Sequence, residues 1–487
     1  MSGKSEGVYV LKFIGVMHMF VAGVIFLPFF LLLFYPEELN YAICFLLPAG
    51  LAWVVGFLLS KIYVPGDYRL SIGYDAIIVV GIWILATLFS AFPFMLAGML
   101  YFTQAYFEAM SGWTTTRLSV IDVPNAPKLF LFFRSVIQFF GGVGIVLIVV
   151  SVLSESSGMR LYTSEWHNDK LLPNLAKSAR MTLKIYSGYF LAGTLLYVTF
   201  GMPIFDAINH SMTSLSTGGF STEFLSIGKY DSIAIELITV ILMLLGAINF
   251  YAHFLIIWRE FRAFFRLGET KLILFIIGVV VPIVAVMSLL TVYRSLSSAL
   301  RISFFNVVSA LTTTGFATVN YDNWPESALL VMIMLMIIGG GIGSTAGGIK
   351  LGRINLLVKQ IGWSVRRKFM PERMVNKPVT YRPNGKTVIS SELYSDSANY
   401  ALTYLAILFV GTLILVGSGY SLQDSLFEFS SALGTVGLSV GLTTINTPPL
   451  VLWTMTFGML FGRIEIFVIF SAIIKIMFKI KRIFKII

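Results

Sequence analysis

One short pattern occurs four times along the chain, each time between two long apolar runs. Each copy begins with an acidic or amide residue and ends nine positions later in a turn rich in threonine and glycine. The copies are Glu108–Arg117, Asn209–Gly218, Asn306–Gly315 and Glu428–Gly437. At the two positions before the last, they carry the pairs Thr115 and Thr116, Ser216 and Thr217, Thr313 and Thr314, and Thr435 and Val436. This agreement in spacing and chemistry predicts four short helices whose turns meet around one axis.

The composition is that of a membrane protein. Of the 487 residues, 57% are hydrophobic and only 12% are charged, whereas soluble domains average about 25% charged residues. The apolar run over residues 8–34 is too long for a signal-peptide core and lacks a small-residue cleavage site, so it is expected to be a retained span. Cys44 is the only cysteine, which excludes a disulfide and a thiolate metal site.

Ten apolar runs are near the length that crosses the hydrocarbon core of a bilayer. They cover about 9–34, 42–62, 74–98, 128–153, 181–201, 232–257, 272–293, 327–349, 396–418 and 447–474. Four shorter apolar stretches end in the repeated turn and are too short to cross, as expected of re-entrant helices surrounded by protein. The sequence therefore predicts an all-α polytopic membrane protein with ten transmembrane helices plus four re-entrant pore helices, arranged as four pseudo-repeats around one central pore.

The predicted organisation follows from these runs. An extra helix pair over residues 1–70 precedes pore repeat 1 at 71–158, and a proline-containing cytoplasmic linker at 369–390 precedes the last repeat. Repeat 2 is expected at 159–264, repeat 3 with a glycine-rich intramembrane loop at 265–368, and repeat 4 with a basic tail at 391–487.

Lysine and arginine collect on one predicted side of the membrane. The segment 350–386 carries ten of them against one acid, Glu372, and the segments 160–184 and 259–271 and the C-terminal tail are also basic. The positive-inside rule then places both termini in the cytoplasm. This location argues against nucleic acid as a partner; a solvated face is the simplest interpretation, and contact with a regulatory partner or anionic lipid is the alternative.

The turns have the chemistry of a cation site. A cation that loses its water needs other oxygens, which backbone carbonyls and threonine hydroxyls supply. Glycine permits the backbone that turns carbonyls inward, and a helix C-terminus favours positive charge. No ring of carboxylates accompanies the turns, which favours a monovalent ion over a divalent one. Alternatively, each turn simply ends a helix. The predicted filter contains Thr115, Thr116, Arg117, Ser216, Thr217, Gly218, Thr313, Thr314, Gly315, Thr435, Val436 and Gly437.

Five motifs in order resemble the Trk/Ktr/HKT superfamily of potassium transporters. They are TTTGFATVNYDNWP from Thr312, STGGFST from Ser216, ALGTVGLSVGLT from Ala432, GGGIGSTAGGIK from Gly339 and GRIEIF from Gly462. The extra N-terminal helix pair is similar to the bacterial and archaeal Trk branch. The resemblance implies potassium as the transported ion, no organic cofactor on this chain, a homodimer, a cytoplasmic nucleotide-binding regulatory ring, and a place among the lipids of the plasma (inner) membrane.

A glycine-rich segment and one arginine are predicted to form a gate below the filter. Six glycines within ten residues disfavour a continuous helix, because each costs roughly 1 kcal/mol. The family resemblance supports a movable loop, whereas close helix packing is the alternative. Arg463 lies in an apolar run, where a charge is costly and usually functional; it resembles the family arginine beneath the filter, and a structural ion pair is its alternative. The predicted gate contains Gly339, Gly340, Gly341, Gly343, Ser344, Thr345, Gly347, Gly348 and Arg463.

Arg117 departs from the family pattern, which has glycine at the end of this turn. A bulky side chain resists the left-handed backbone, and a cation near the axis repels potassium. If the side chain points away, for example toward Asp122, its carbonyl can still line the path. The sequence predicts weaker potassium conduction or selectivity than in the Arg117→Gly variant.

These observations favour a channel-like potassium uptake subunit gated by a cytoplasmic partner. A potassium/proton or potassium/sodium symporter is the alternative within transport. A polytopic membrane enzyme is disfavoured because the histidines are scattered and no metalloprotease or serine-nucleophile motif occurs. A receptor or scaffold leaves the fourfold turn without an explanation.

Overall fold

The computed structural model describes residues 2–63, 73–144, 175–289, 291–293, 295–321, 323–370, 378–382 and 385–483. Parts of the predicted basic segment 160–184, of the linker 369–390 and of the C-terminal tail lie outside these residues. Glu372, the single acidic residue of the basic segment 350–386, also lies outside the described residues.

The N-terminal pair and the first two repeats are helical. Their helices are α1 (Ser2–Phe26), α2 (Ala42–Ser60), α3 (Tyr74–Leu96), α4 (Phe102–Trp113), α5 (Lys128–Val143), α6 (Leu175–Thr199), α7 (Ile204–Leu215), α8 (Ile233–Ala247) and α9 (Phe250–Ile257). Two 3-10 helices, Leu27–Leu33 and Pro36–Tyr41, join α1 to α2.

The second half repeats this plan. Its helices are α10 (Phe261–Phe264), α11 (Gly268–Leu289), α12 (Leu296–Leu311), α13 (Glu326–Ile338), α14 (Leu351–Arg367), α15 (Ser391–Gly417), α16 (Leu422–Leu433), α17 (Pro449–Ile464) and α18 (Ile466–Ile483). A small antiparallel hairpin, β1 (Val379–Arg382) and β2 (Gly385–Val388), lies in the linker and pairs Thr380 with Thr387. The predicted all-α polytopic fold is confirmed, with this hairpin as its only described sheet.

Each repeat consists of a long first helix, a short pore helix, a turn and a second helix. The pore helices are α4, α7, α12 and α16, and each is followed by one of the four predicted turns. Three second helices begin directly after a proline, at Pro127, Pro325 and Pro448. Proline fixes its own φ and has no N–H to satisfy, so it suits the start of a helix.

Among the described residues, five helices are long and apolar enough to cross a membrane, or seven if each of two sharply bent pairs is one crossing. The bent pairs are α8 with α9, at 116°, and α17 with α18, at 102°. Helices α5 and α13 are the second helices of repeats 1 and 3, and α6 is the first helix of repeat 2. Counting these three as well gives the ten crossings that the sequence predicts.

The second helices of repeats 2, 3 and 4 are broken at corresponding places. The sequence analysis treated α8–α9 and α17–α18 each as a single apolar span and did not include these breaks. Glu465, at the break between α17 and α18, has a φ of 72°. In repeat 3, α13 ends at Gly339 with a φ of 71°, and the glycine-rich segment 339–350 is a loop. Broken helices inside a membrane require protein around the exposed backbone groups. The breaks therefore indicate a buried functional centre at this level.

Glycines let the second helices lie directly against the ends of the pore helices. A Cβ added to Gly141 would lie 2.1 Å from the Trp113 carbonyl oxygen, and one on Gly462 would lie 1.9 Å from that of Leu433. In repeat 2, a Cβ on Gly246 would lie 2.4 Å from the Leu215 oxygen. These distances are below van der Waals contact, so glycine is required by close approach of backbones.

The N-terminal pair packs against repeat 1. Gly15 and Gly56 let α1 and α2 approach closely, since a Cβ on Gly56 would lie 2.8 Å from the Gly15 oxygen. A buried aromatic cluster then connects α2 to repeat 1, with Phe45 lying 5.0 Å from Phe130 between ring centroids and 5.3 Å from Phe133. The pair therefore packs on the outside of repeat 1 and does not separate the four turns.

Candidate functional site

The four turns share one unusual backbone conformation. Thr115, Thr217, Thr313 and Thr435 all have positive φ, from 49° to 57°. Two residues later, Arg117, Gly219, Gly315 and Gly437 are again positive, from 71° to 88°. For an arginine, a left-handed backbone costs about 1–2 kcal/mol, so Arg117 adopts the glycine conformation at a cost.

The backbone angles correct the register of the second copy by one residue. The sequence comparison aligned Ser216, Thr217 and Gly218 with the residues that end the other turns, whereas the structure aligns Thr217, Gly218 and Gly219 with them. Residue type alone does not distinguish the two registers, because Gly218 is followed by a second glycine, Gly219, and Asn209 is followed by a second polar residue, His210. The backbone hydrogen bonds agree with the corrected register: Gly218 N donates to Thr213 O at 2.8 Å, as Thr116 N donates to Ser111 O at 2.8 Å.

The last residues of the turns lie in contact around a common centre. A Cβ on Gly219 would lie 1.9 Å from the Thr314 oxygen, one on Gly315 would lie 2.0 Å from the Val436 oxygen, and one on Gly437 would lie 1.8 Å from the Thr116 oxygen. These contacts link turn 2 to turn 3, turn 3 to turn 4, and turn 4 to turn 1. The four turns therefore encircle one point, and carbonyl oxygens of neighbouring repeats converge there.

A polar residue in each pore helix forms hydrogen bonds with the segment that follows its turn. Glu108 accepts from Ser119 Oγ at 3.0 Å and from Val120 N at 2.9 Å. The corresponding contacts in the other repeats are His210 Nε2 with Ser221 Oγ at 3.0 Å, Asn306 Nδ2 with Thr318 Oγ1 at 3.0 Å, and Glu428 with Ser439 Oγ at 2.8 Å. Thus His210, and not Asn209, takes this position in repeat 2.

Two residues of α5 that the sequence analysis did not select support the turns. Arg134 Nε donates to Glu108 Oε1 at 2.8 Å, and its guanidinium lies 4.0 Å from the Phe220 ring centroid. Gln138 Nε2 donates to Gly218 O at 2.7 Å, and Gln138 Oε1 accepts from Phe220 N at 3.0 Å. Helix α5 thereby joins repeat 1 to turn 2. Their polar side chains within an apolar run were the available signal.

A cavity of about 390 Å³ opens at one end of the ring. We call it the vestibule. All four repeats line it, through residues that include Arg117, Phe220, Tyr321 and Gly437.

The Arg117 side chain lies across the ring. Its Nη1 donates to the Gly315 carbonyl oxygen and lies 3.4 Å from the Gly437 oxygen. Of the two directions left open by the sequence, the structure has the one toward the centre: Arg117 does not point away toward Asp122, whose Oδ2 accepts from Asn125 Nδ2 at 2.7 Å. The cause is that carbonyl oxygens of two other repeats are within reach of the guanidinium.

The glycine-rich loop 339–350 lies against the opposite end of the turns. Thr345 Oγ1 lies 2.9 Å from Thr217 Oγ1 and donates to Gly246 O at 2.9 Å. Gly347 N donates to Thr313 Oγ1 at 2.8 Å, and a Cβ on Gly347 would lie 2.2 Å from Thr435 Oγ1. The loop thus touches the positive-φ threonines of three turns.

Arg463 lies beside this loop at the break between α17 and α18. Its guanidinium donates to Gly141 O at 2.6 Å, to Gly142 O at 2.9 Å and to Thr345 O. Glu465 is 2.9 Å from Arg353 Nη2, in a buried ion pair. Arg463 therefore connects repeats 1, 3 and 4 through backbone carbonyls.

A second, smaller cavity of about 40 Å³ lies on the loop side of the ring. Gly142, Ser344, Lys350 and Arg463 are among its lining residues. The two cavities therefore lie on the two sides of the ring, one at the vestibule end and one at the loop.

The ligands at the ring are neutral oxygens. Within the described part of the chain, no group of three or more histidine, cysteine, aspartate or glutamate side chains could hold a metal ion. A cation at the ring would be bound by carbonyl and hydroxyl oxygens, which suits a weakly hydrated monovalent ion that must also leave.

The comparisons with known proteins agree with this geometry. A sequence model of the TrkH family, described as "Cation transport protein", matches residues 59–477. The Trk system potassium uptake protein TrkG of Escherichia coli is 34% identical over 406 residues, which are 80% of this chain and 82% of TrkG.

An uncharacterized cation transporter of Methanocaldococcus jannaschii is 30% identical over 451 residues, covering 91% of this chain and 90% of that protein. The crystal structure of the potassium transporter TrkH from Vibrio parahaemolyticus superposes with a TM-score of 0.83 at 27% identity, over 97% of this chain and 98% of that one. The match extends over the whole arrangement of repeats.

Proposed function

Because the chain belongs to the TrkH family of cation transport proteins, we propose that it carries potassium ions across the plasma membrane through the ring formed by its four turns. The observation that carries this proposal is the contact of turns 2 with 3, 3 with 4, and 4 with 1, which gathers carbonyl oxygens of different repeats at one point. The filter residues are Thr115, Thr116 and Arg117, Thr217, Gly218 and Gly219, Thr313, Thr314 and Gly315, and Thr435, Val436 and Gly437.

Growth rescue of a bacterium deficient in potassium uptake tests this function. At low external potassium, we expect rescue and rubidium uptake by the Arg117→Gly protein, with weaker rescue by the wild type. Adding Gly315→Val to Arg117→Gly should abolish uptake, because the Cβ would lie 2.0 Å from the Val436 oxygen. If neither the wild type nor Arg117→Gly moves potassium or rubidium at equal membrane abundance, the proposal is contradicted.

The proposed gate is the glycine-rich loop together with Arg463. The supporting contacts are those of Thr345 and Gly347 with three turns, and those of Arg463 with carbonyls of repeats 1 and 3. While these contacts hold, the loop obstructs the end of the ring. Movement of the loop away from the turns would open the path, and glycines make such a change of backbone inexpensive.

Replacing Arg463 by alanine should favour the open gate. It removes hydrogen bonds from a charged donor, each worth about 1.5–3 kcal/mol, and 1.4 kcal/mol already corresponds to about tenfold in an equilibrium. We expect rubidium flux to rise about tenfold over the parent protein, both with Arg117 and in an Arg117→Gly background. Arg366→Ala, on the exposed surface of α14, is the matched control. Unchanged or lower flux in a well-assembled Arg463→Ala protein would argue against this gate.

The mechanism that we propose is channel-like, with the ion moving down its electrochemical gradient. Its support is that the described groups that could bind an ion at the ring are backbone and hydroxyl oxygens, which need no proton exchange. Symport with protons or sodium is distinguished by imposing a proton or sodium gradient on vesicles without a potassium gradient. Potassium accumulation under those conditions would favour symport.

The partners are proposed from the basic loop-side face, which we place in the cytoplasm with both termini. A cavity of about 730 Å³ there is lined by Arg259, Arg262, Arg266, Arg382 and Lys386 among others. Positive charge at this level suits contact with anionic lipid and with a regulatory nucleotide-binding ring. Homodimer formation is part of the same proposal, and mass measurement of the purified protein tests it.

A further inference from the structure

Arg117 breaks the symmetry of the ring at the position where each of the other three turns has a glycine. Turns 2, 3 and 4 end in Gly219, Gly315 and Gly437, and turn 1 ends in Arg117 with the same positive φ. The backbone of turn 1 is therefore equivalent to the others. What differs is a long cationic side chain that begins at the ring itself.

That side chain contacts each of the other three turns. Its Cδ lies 3.0 Å from the position of a Cβ on Gly219, its Nη1 donates to Gly315 O, and the same nitrogen is 3.4 Å from Gly437 O. Gly315 belongs to the repeat opposite turn 1 in the ring. The guanidinium consequently lies across the centre and not along one wall.

The charge of Arg117 is compensated by carbonyl oxygens. None of the ion pairs between residues that the structure describes includes Arg117. Its cationic neighbour Arg134 is paired with Glu108 at 2.8 Å. The guanidinium is thus stabilised by the same kind of ligand that a permeating cation would use.

We propose that Arg117 is a tethered cation, which occupies the carbonyl ring at the vestibule end and competes there with the transported ion. This inference rests on the proposed function of the ring. It adds a second closure in series with the loop and Arg463, at the opposite end of the turns. An ion enters the ring only when the guanidinium swings out into the vestibule, whose volume is about 390 Å³.

Flux and block measurements in vesicles test the competition. Wild type, Arg117→Gly and Arg117→Gln are compared for rubidium flux, with Arg301→Gln as a control that removes a cation paired with Glu236 away from the ring. We expect at least a tenfold rise for Arg117→Gly, a smaller rise for Arg117→Gln, and no rise for Arg301→Gln. Free guanidinium at low millimolar concentration should then block Arg117→Gly and leave the wild-type rate unchanged.

Equal or lower flux in an assembled Arg117→Gly protein, or equal block of both proteins by guanidinium, would overturn the proposal. A binding measurement distinguishes failure of this proposal from failure of the proposed transport function. Thallium(I) should raise the unfolding temperature of Arg117→Gly in detergent and not that of the wild type, whether or not either protein conducts. Equal thallium shifts, or none in either protein, would show that Arg117 does not compete for a cation site.

Discussion

Gly462→Ala is expected to reduce rubidium flux at least tenfold. The new Cβ would lie 1.9 Å from the Leu433 oxygen and 3.2 Å from Thr435 Cγ2. Neither the backbone of α16 nor that of α17 can rotate away as a side chain would, so one helix must shift. Overpacking of this kind costs about 1–3 kcal/mol. Because Leu433 is the last residue of pore helix α16, the shift moves turn 4 out of the ring.

The measurement uses an Arg117→Gly background, in which flux through the ring is expected to be high. Gly246→Ala is the equivalent change in repeat 2, where the next residue is not an arginine, and should have the same effect through the Leu215 oxygen at 2.4 Å. Gly278→Ala is the matched control, because a Cβ there meets nothing within 4 Å. If the two buried variants conduct as well as Gly278→Ala, the close seating of the pore helices is not required for transport.

The sequence is sufficient to predict the repeats because their signal is local. Each copy carries a polar residue, an apolar helix and a threonine-glycine turn at fixed spacing, and the fold and the family resemblance are confirmed. The chain is accordingly a transport protein and not an enzyme. The one-residue error at Gly218 arose where neighbouring residues are chemically alike, so that only backbone angles separate the two registers.

The remaining features could not be predicted because they depend on contacts between distant segments. The direction of Arg117 is set by oxygens 198 and 320 residues away in the chain. Likewise, Gln138 of repeat 1 binds turn 2, which no local pattern in α5 indicates. The break at Glu465 is stabilised by Arg353 of another repeat. Their residue types indicated that these polar and charged side chains are important, but the sequence did not show which distant residue each of them contacts.

Removal of Glu108 should have the largest effect on stability. Glu108 is fully buried and Arg134 is 2% exposed. Breaking a buried ion pair by removing one partner costs about 3–5 kcal/mol, because the other charge remains without compensation. Glu108 also holds Val120 N at 2.9 Å, beside turn 1. We therefore expect Glu108→Ala to lower the unfolding temperature in detergent strongly and to abolish flux.

The double variant Glu108→Ala/Arg134→Met distinguishes a lost ion pair from lost packing. Methionine fills part of the space of Arg134 without a charge, so the double variant should be more stable than Glu108→Ala alone. Its flux should remain low, because Val120 has still lost its acceptor. Glu392→Ala, which removes an exposed carboxylate, should change neither property. A double variant no more stable than Glu108→Ala would show that the stranded charge of Arg134 is not what destabilises the protein.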